Sequence, residues 1–236
     1  MGKNAPALIL YFSASLVYVL SIVLKWDSII TFLFKPMIAP AIYFYYWQES
    51  KGKVALLPSL VMLFFYIGDM MILIEYEDLL VPLMILNLIA YLFIGFYLTQ
   101  DLLRLKNPKI SSYAVLIICL VIVFLLSLLY VGLSLVFNTT DANYGLLLVY
   151  GITLVVLGIE TVTYYVLKSN QAGFFLLLTI FCLVISDLFY VLYNHYAKFS
   201  VFIDINVFCQ VISFYFIIKY FLYRKQQYIP ISYDEE

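Results

Sequence analysis

Charge is what this sequence has least of. Only 11% of its 236 residues are Asp, Glu, Lys or Arg, whereas 66% are apolar. A water-soluble fold covers its surface with charge, so a chain this poor in it is not built to face water on all sides. The near-zero net charge of −1 argues against a nucleic-acid partner. Histidine occurs once, at His195, and cysteine three times, at Cys119, Cys182 and Cys209, each inside an apolar run. That leaves no disulfide framework and too few ligands for a zinc site. A glycine-rich phosphate loop and a Gly-x-Ser-x-Gly elbow are also missing. Neither a metal nor a cofactor is implied, and the three cysteines read as small buried hydrophobes.

Long apolar runs are what the sequence has instead. A helix needs roughly 20 mostly apolar residues to cross a hydrocarbon core of about 30 Å. Eight stretches meet that requirement, at about 7–24, 28–47, 54–74, 79–99, 112–136, 144–167, 172–193 and 200–222. The breaks between them are short and polar, such as 48–53 and 104–109, so no linker separates two soluble domains. The expected fold is all-α: a single transmembrane domain over 1–236, a polytopic bundle of eight helices. The first segment is span-length and no small-residue cleavage site follows it, which argues against a cleaved signal peptide.

Lysine and arginine orient the bundle. The side that holds the N-terminus collects Lys3, Lys51, Lys53, Arg104, Lys106, Lys109, Lys168, Lys219, Arg224 and Lys225, and the other side only Lys25 and Lys198. This asymmetry predicts a multi-pass integral membrane protein with both termini in the cytoplasm. The acidic loop 75–78 falls on the outer side. The triplet Asn138-Thr139-Thr140, also on an outer loop, has the form of a glycosylation acceptor, a pattern common by chance.

An ionisable side chain within a span is costly, so each is a candidate for function. Away from the ends of the spans stand Lys35, Asp69, Glu160 and Asp187, with the amides Asn87, Asn206 and Gln210. Counting about 1.5 Å of rise per residue from the outer ends puts Lys35, Asp69, Asp187, Asn206 and Gln210 in one layer, roughly 7–15 Å deep. Four helices thus deliver a cation, two carboxylates and amides to one depth, as a built site would. Each residue also has a plainer reading. Lys35 can snorkel to the interface, and the aspartates can form a structural pair with it. Asn87 and Gln210 can be ordinary interhelical hydrogen-bond partners. Glu160, near the inner end of span six, reads as an inner-mouth group. His195, eight residues after Asp187, reads as interfacial. The 23 tyrosines and 20 phenylalanines are read mostly as core, lipid-facing or interfacial belt residues.

Taken in order, these polar positions resemble the YhhN family of eight-span membrane proteins, the lysoplasmalogenases. The resemblance is carried by Lys35-Pro36-Met37-Ile38-Ala39-Pro40 in span two, Gly68-Asp69 followed by Leu73 in span three, Ser186-Asp187 in span seven and Cys209-Gln210 in span eight. It covers nearly the whole chain. Two positions depart from the family pattern: Ile94 stands where members carry a histidine three residues before a tyrosine, here Tyr97, and Leu183 where they have an aromatic.

The resemblance implies a hydrolase that cleaves the vinyl ether of a lysoplasmalogen, releasing a fatty aldehyde and a glycerophospho-head group. Its partners would be a lysophospholipid substrate and membrane lipids. Vinyl ethers open by protonation at carbon to an oxocarbenium ion, which water traps. One carboxylic acid and one carboxylate serve that chemistry, as in glycoside hydrolysis, and Asp69 and Asp187 are the catalytic candidates. Lys35 would hold a carboxylate ionised or bind the substrate phosphate. Asn206, Gln210, Ser186 and Tyr97 would bind or orient substrate, with Glu160 and His195 behind them. Two alternatives have different consequences. A small-solute transporter needs access from both faces, which Glu160 suggests, and the Gly-Asp and Ser-Asp placements permit a four-plus-four repeat. A non-catalytic lipid-binding homologue would be consistent with Ile94.

Overall fold

The structure, a computed structural model, describes residues 5–73, 80–105, 111–137 and 144–227, with only the backbone at Leu80, Phe137, His195, Gln226 and Gln227. The acidic loop 75–78, Lys3, Lys106, Lys109 and the triplet Asn138-Thr139-Thr140 lie outside the described residues. Eight helices follow one another: α1 Ala5–Val23, α2 Ser28–Glu49, α3 Leu56–Leu73, α4 Leu80–Leu103, α5 Ser112–Phe137, α6 Tyr144–Lys168, α7 Gln171–His195 and α8 Ser200–Gln227. Every one is long and apolar enough to cross a membrane, and the described residues contain no strand. The all-α bundle and its eight spans are as expected from the sequence, with ends differing by a few residues.

Local chemistry sets several of those ends. The Asp27 carboxylate accepts from the Ile29 amide at 3.0 Å and starts α2, and the Asn170 side chain accepts from the Gly173 amide at 2.7 Å and starts α7. Pro36 and Pro40 lie inside α2 without ending it. Within a bundle, neighbouring helices can tolerate the backbone carbonyls that proline leaves without a donor.

Short connections make successive helices alternate in direction, and consecutive helices pack as pairs. Further contacts join α4 to α6, α6 to α7, α2 to α3, α2 to α8, α5 to α7 and α1 to α8. The core is apolar and aromatic, including Tyr11, Ile42, Tyr46, Tyr91, Ile94, Leu98, Leu157, Leu176, Ile217 and Tyr220. The outward faces are equally apolar, with Leu16, Ile29, Phe32, Leu120 and Val123 exposed, the pattern of a surface solvated by lipid. Because lipid tails attract apolar side chains as well as a neighbouring helix does, close packing rather than hydrophobicity holds such helices together. Helix α5 shows the consequence. Only 11% of its central window is buried, and it leans on α6 by fitting Leu125 and Leu129 against Gly158 and Gly151. A Cβ on Gly158 would stand 2.6 Å from Leu125 Cδ1, so a side chain there would force Leu125 to shift.

The end of the bundle that carries the start of α1, here the near end, is tied by charge. Arg224 on α8 donates from Nε to Asp101 Oδ2 at 2.7 Å and from Nη2 to Oδ1 at 2.8 Å, while stacking 3.9 Å above the centre of the Tyr97 ring. Asp101 is fully buried there and receives the Tyr220 hydroxyl at 3.5 Å. Lys225 donates to the carbonyl of Lys53 at 2.6 Å, and Lys219 to the Tyr45 hydroxyl at 2.7 Å.

Candidate active site

Toward the far end the bundle opens into a cavity of about 1280 Å³, to whose wall every helix contributes. Tyr18, Lys35, Leu73, Asn87, Leu129, Tyr150, Asp187 and Gln210 represent α1 to α8 in order. The wall is mostly apolar; Ser21, Lys25, Ser28, Thr31, Asn87 and Tyr190 are among its polar residues, and Lys35 and Asp187 each belong to a cluster that joins three helices.

The first cluster joins α2, α3 and α8. Lys35 Nζ lies 3.8 Å from Asp69 Oδ1, and the Gln210 amide donates to the same oxygen at 2.5 Å. Lys35 and Asp69 are only 5% and 6% exposed, so the ammonium does not snorkel to the interface, and it also lies 5.7 Å from the centre of the Tyr18 ring. Lys35 and Gln210 line the cavity, whereas Asp69 stands behind them. Its carboxylate serves the cavity through its neighbours.

The second cluster joins α4, α6 and α7. Asp187 lines the cavity, and its Oδ2 accepts from the Tyr91 and Tyr150 hydroxyls, each at 2.8 Å, with the two hydroxyls 3.2 Å apart. Among the described residues Asp187 makes no ion pair. Its only partners there are neutral donors, which leave a full negative charge uncompensated in a low-dielectric setting.

Helices α7 and α8 connect the clusters. Asn206 donates from Nδ2 to the Ser186 carbonyl at 2.8 Å and to Ser186 Oγ at 2.9 Å, and Ser186 Oγ in turn donates to the Asn206 carbonyl at 3.2 Å. Ser186 adjoins Asp187, and Asn206 lies one turn from Gln210. Lys35, Asp69, Asp187, Asn206 and Gln210 therefore do occupy one layer, as the helical rise predicts.

Three further candidates stand apart from the cavity wall or are not described. Tyr97 supports Arg224 at the near end and takes no part in the cavity wall. Glu160 accepts from the Thr99 hydroxyl at 3.2 Å between α4 and α6, also off the cavity wall. His195 closes α7, and its side chain lies outside the described residues. Ile94 is wholly buried in the core. Tyr91 and Tyr150, which hold Asp187, were not singled out from the sequence. With 23 tyrosines to choose from, no single one stands out. A usable signal was the spacing: Tyr91 follows Asn87 by four residues, as Gln210 follows Asn206.

Fold and site together define a multi-pass membrane protein with a carboxyl group presented inside a large, mostly apolar cavity. Comparison with protein-family models, with curated proteins and with solved structures yields no match.

Proposed function

We propose that this protein is a membrane-embedded hydrolase that cleaves the vinyl ether bond of a lysoplasmalogen. The observation that carries the proposal is Asp187, a carboxyl group held by two phenols in the wall of a cavity that also presents the Lys35 ammonium. A volume of about 1280 Å³ exceeds the roughly 300–1,000 Å³ of ordinary small-molecule pockets and suits an amphiphile with a long chain. The sequence resemblance to the YhhN family supports the same reading.

The reaction follows from the chemistry of the bond. Asp187 donates its proton to the vinyl carbon one position from the ether-bearing carbon, leaving an oxocarbenium ion beside the new carboxylate. That carboxylate stabilises the cation and takes a proton from the water that attacks it. The resulting hemiacetal collapses to a fatty aldehyde and the glycerophospho alcohol, so one water is consumed and Asp187 is reprotonated. Lys35, kept ionised by Asp69, whose carboxylate Gln210 orients, is proposed to bind the substrate phosphate. Asp69 is then a positioning residue, and Asp187 the one that touches substrate. The excess of Lys and Arg at the near end supports cytoplasmic termini, with the cavity in the outer half of the membrane.

The test is incubation of purified protein with lysoplasmalogen, scoring release of fatty aldehyde. The saturated alkyl-ether analogue, which cannot be protonated at carbon, serves as the control. Aldehyde from the first and none from the second is the expected result. Tight binding of both lipids without aldehyde would instead identify a lipid-binding protein, the reading that Ile94 favours.

A further inference from the structure

The two clusters are built to one plan. Asp69 sits on the third helix and Asp187 on the seventh. Each is met by a side chain from the helix preceding its own, Lys35 on α2 and Tyr150 on α6, and by one from the helix that closes the other half, Gln210 on α8 and Tyr91 on α4. The spacings agree: Asn87 follows Asp69 by eighteen residues and Asn206 follows Asp187 by nineteen, and Tyr91 and Gln210 each stand four residues further on. Even the asparagines play equivalent parts. Asn206 bonds to Ser186, the residue before Asp187. Asn87 Oδ1 lies 3.2 Å from where a Cβ would project from Gly68, the residue before Asp69.

Helix packing repeats in the same way. The pairs α1 with α2, α3 with α4 and α2 with α3 recur as α5 with α6, α7 with α8 and α6 with α7. Between the halves, α4 with α6 and α8 with α2 exchange with one another, whereas α1 with α8 and, within the second half, α5 with α7 have no counterpart of like extent. Four spans is an even number, so the two copies run in the same direction and their pseudo-twofold axis lies along the membrane normal.

We infer that the chain is one four-helix unit present twice, and that the exchange of Lys35 for Tyr150 at equivalent positions makes Asp69 the ionised carboxylate and Asp187 the proton-carrying one, with Tyr91 and Tyr150 as positioning residues. The physical reason is charge balance. In a low-dielectric interior an ammonium stabilises one carboxylate, and Lys35 is paired with Asp69. The two phenols occupy Oδ2 of Asp187 and leave Oδ1 to carry the proton. The consequence for catalysis rests on the vinyl ether proposal, but the charge assignment does not.

The experiment therefore needs no substrate. Infrared spectra of the purified protein at neutral pH are compared among wild type, Asp187→Asn and Asp69→Asn, reading the carbonyl stretch of a protonated carboxylic acid. The wild-type minus Asp187→Asn difference is expected to contain that band, and the wild-type minus Asp69→Asn difference to lack it. A protonated Glu160 would remain in both variants and cancel. Two exchange variants read the plan itself. Tyr150→Lys should abolish the Asp187 band, and Lys35→Tyr should add a second acid band. Tyr150→Phe should keep the band but move its frequency, since one hydroxyl donor to the carboxyl is gone. An acid band lost in Asp69→Asn, or absent from wild type, overturns the assignment whether or not the exchange variants fold. A band unchanged by Tyr150→Lys in folded protein overturns the role of the exchange. Aldehyde release reads the hydrolase proposal separately.

Discussion

Replacing each aspartate by asparagine should separate a group that does chemistry from one that holds structure. In Asp187→Asn the amide oxygen can still accept from Tyr91 and Tyr150, so both hydrogen bonds at 2.8 Å survive in kind. Exchanging one accepted pair for another of similar geometry costs no more than about 1 kcal/mol. The variant should extract as monodisperse protein and melt within a few degrees of wild type. Its chemistry has no such substitute. General acid–base catalysis contributes about 10²–10⁴ in rate, or roughly 3–5 kcal/mol of barrier, and Asp187 serves both protonation and the attack of water. Aldehyde release should fall at least a thousandfold. Asp69→Asn reverses the pattern. It leaves the Lys35 ammonium, 5% exposed, without its carboxylate. Breaking a buried pair from one side costs about 3–5 kcal/mol, so melting should drop by on the order of ten degrees. Residual protein should show a raised KM, because the ammonium proposed for the phosphate is no longer held. Replacing both partners, Lys35→Met with Asp69→Leu, should recover the melting temperature without recovering substrate affinity. Thermal unfolding in detergent, together with aldehyde release from lysoplasmalogen, reads every arm. Folded Asp187→Asn that keeps more than a tenth of wild-type turnover would refute the acid role. Asp69→Asn that melts like wild type would refute the structural role of the pair.

Other positions give independent expectations. Asp101→Ala removes the buried carboxylate that Arg224 holds through two charge-assisted bonds, and should lower melting by several degrees. Gly132 lines the cavity, and a Cβ there would meet nothing within 4 Å. Gly132→Phe should leave melting unchanged while raising KM for long-chain substrates at least tenfold over short-chain ones, and equal effects on both would sink the cavity as the chain site. A reporter fused after Glu236 should report cytoplasm, and one in the 75–78 loop the opposite side; the same side for both would contradict the orientation. His195→Ala should reduce aldehyde release less than tenfold, and a loss beyond a hundredfold would give that histidine a catalytic part.

The spans and the shared layer were legible in the sequence because each rests on one dimension of the chain. Hydrophobic length decides whether a segment crosses a membrane, and a rise of about 1.5 Å per residue converts sequence position into depth. Lys35, Asp69 and Gln210 could be set at one height by counting residues, and they do meet there.

What counting cannot supply is the direction in which a side chain points around its helix. A soluble helix reveals its inner face through an apolar stripe, whereas lipid-facing and core-facing residues here are equally apolar and leave no such stripe. Asp69 was therefore expected in the cavity, although it stands behind Lys35 and Gln210, and Tyr97 was expected near it, although it lies under Arg224 at the opposite end. Tyr91 and Tyr150 were hidden for the same reason, with depth suitable but direction unknown. Internal repetition supplies the missing angle. If Gln210 reaches Asp69 from the last helix of one half, the residue at the matching step of the other half must reach Asp187, and that residue is Tyr91. An orientation that a single helix cannot reveal becomes readable when the same helix occurs twice.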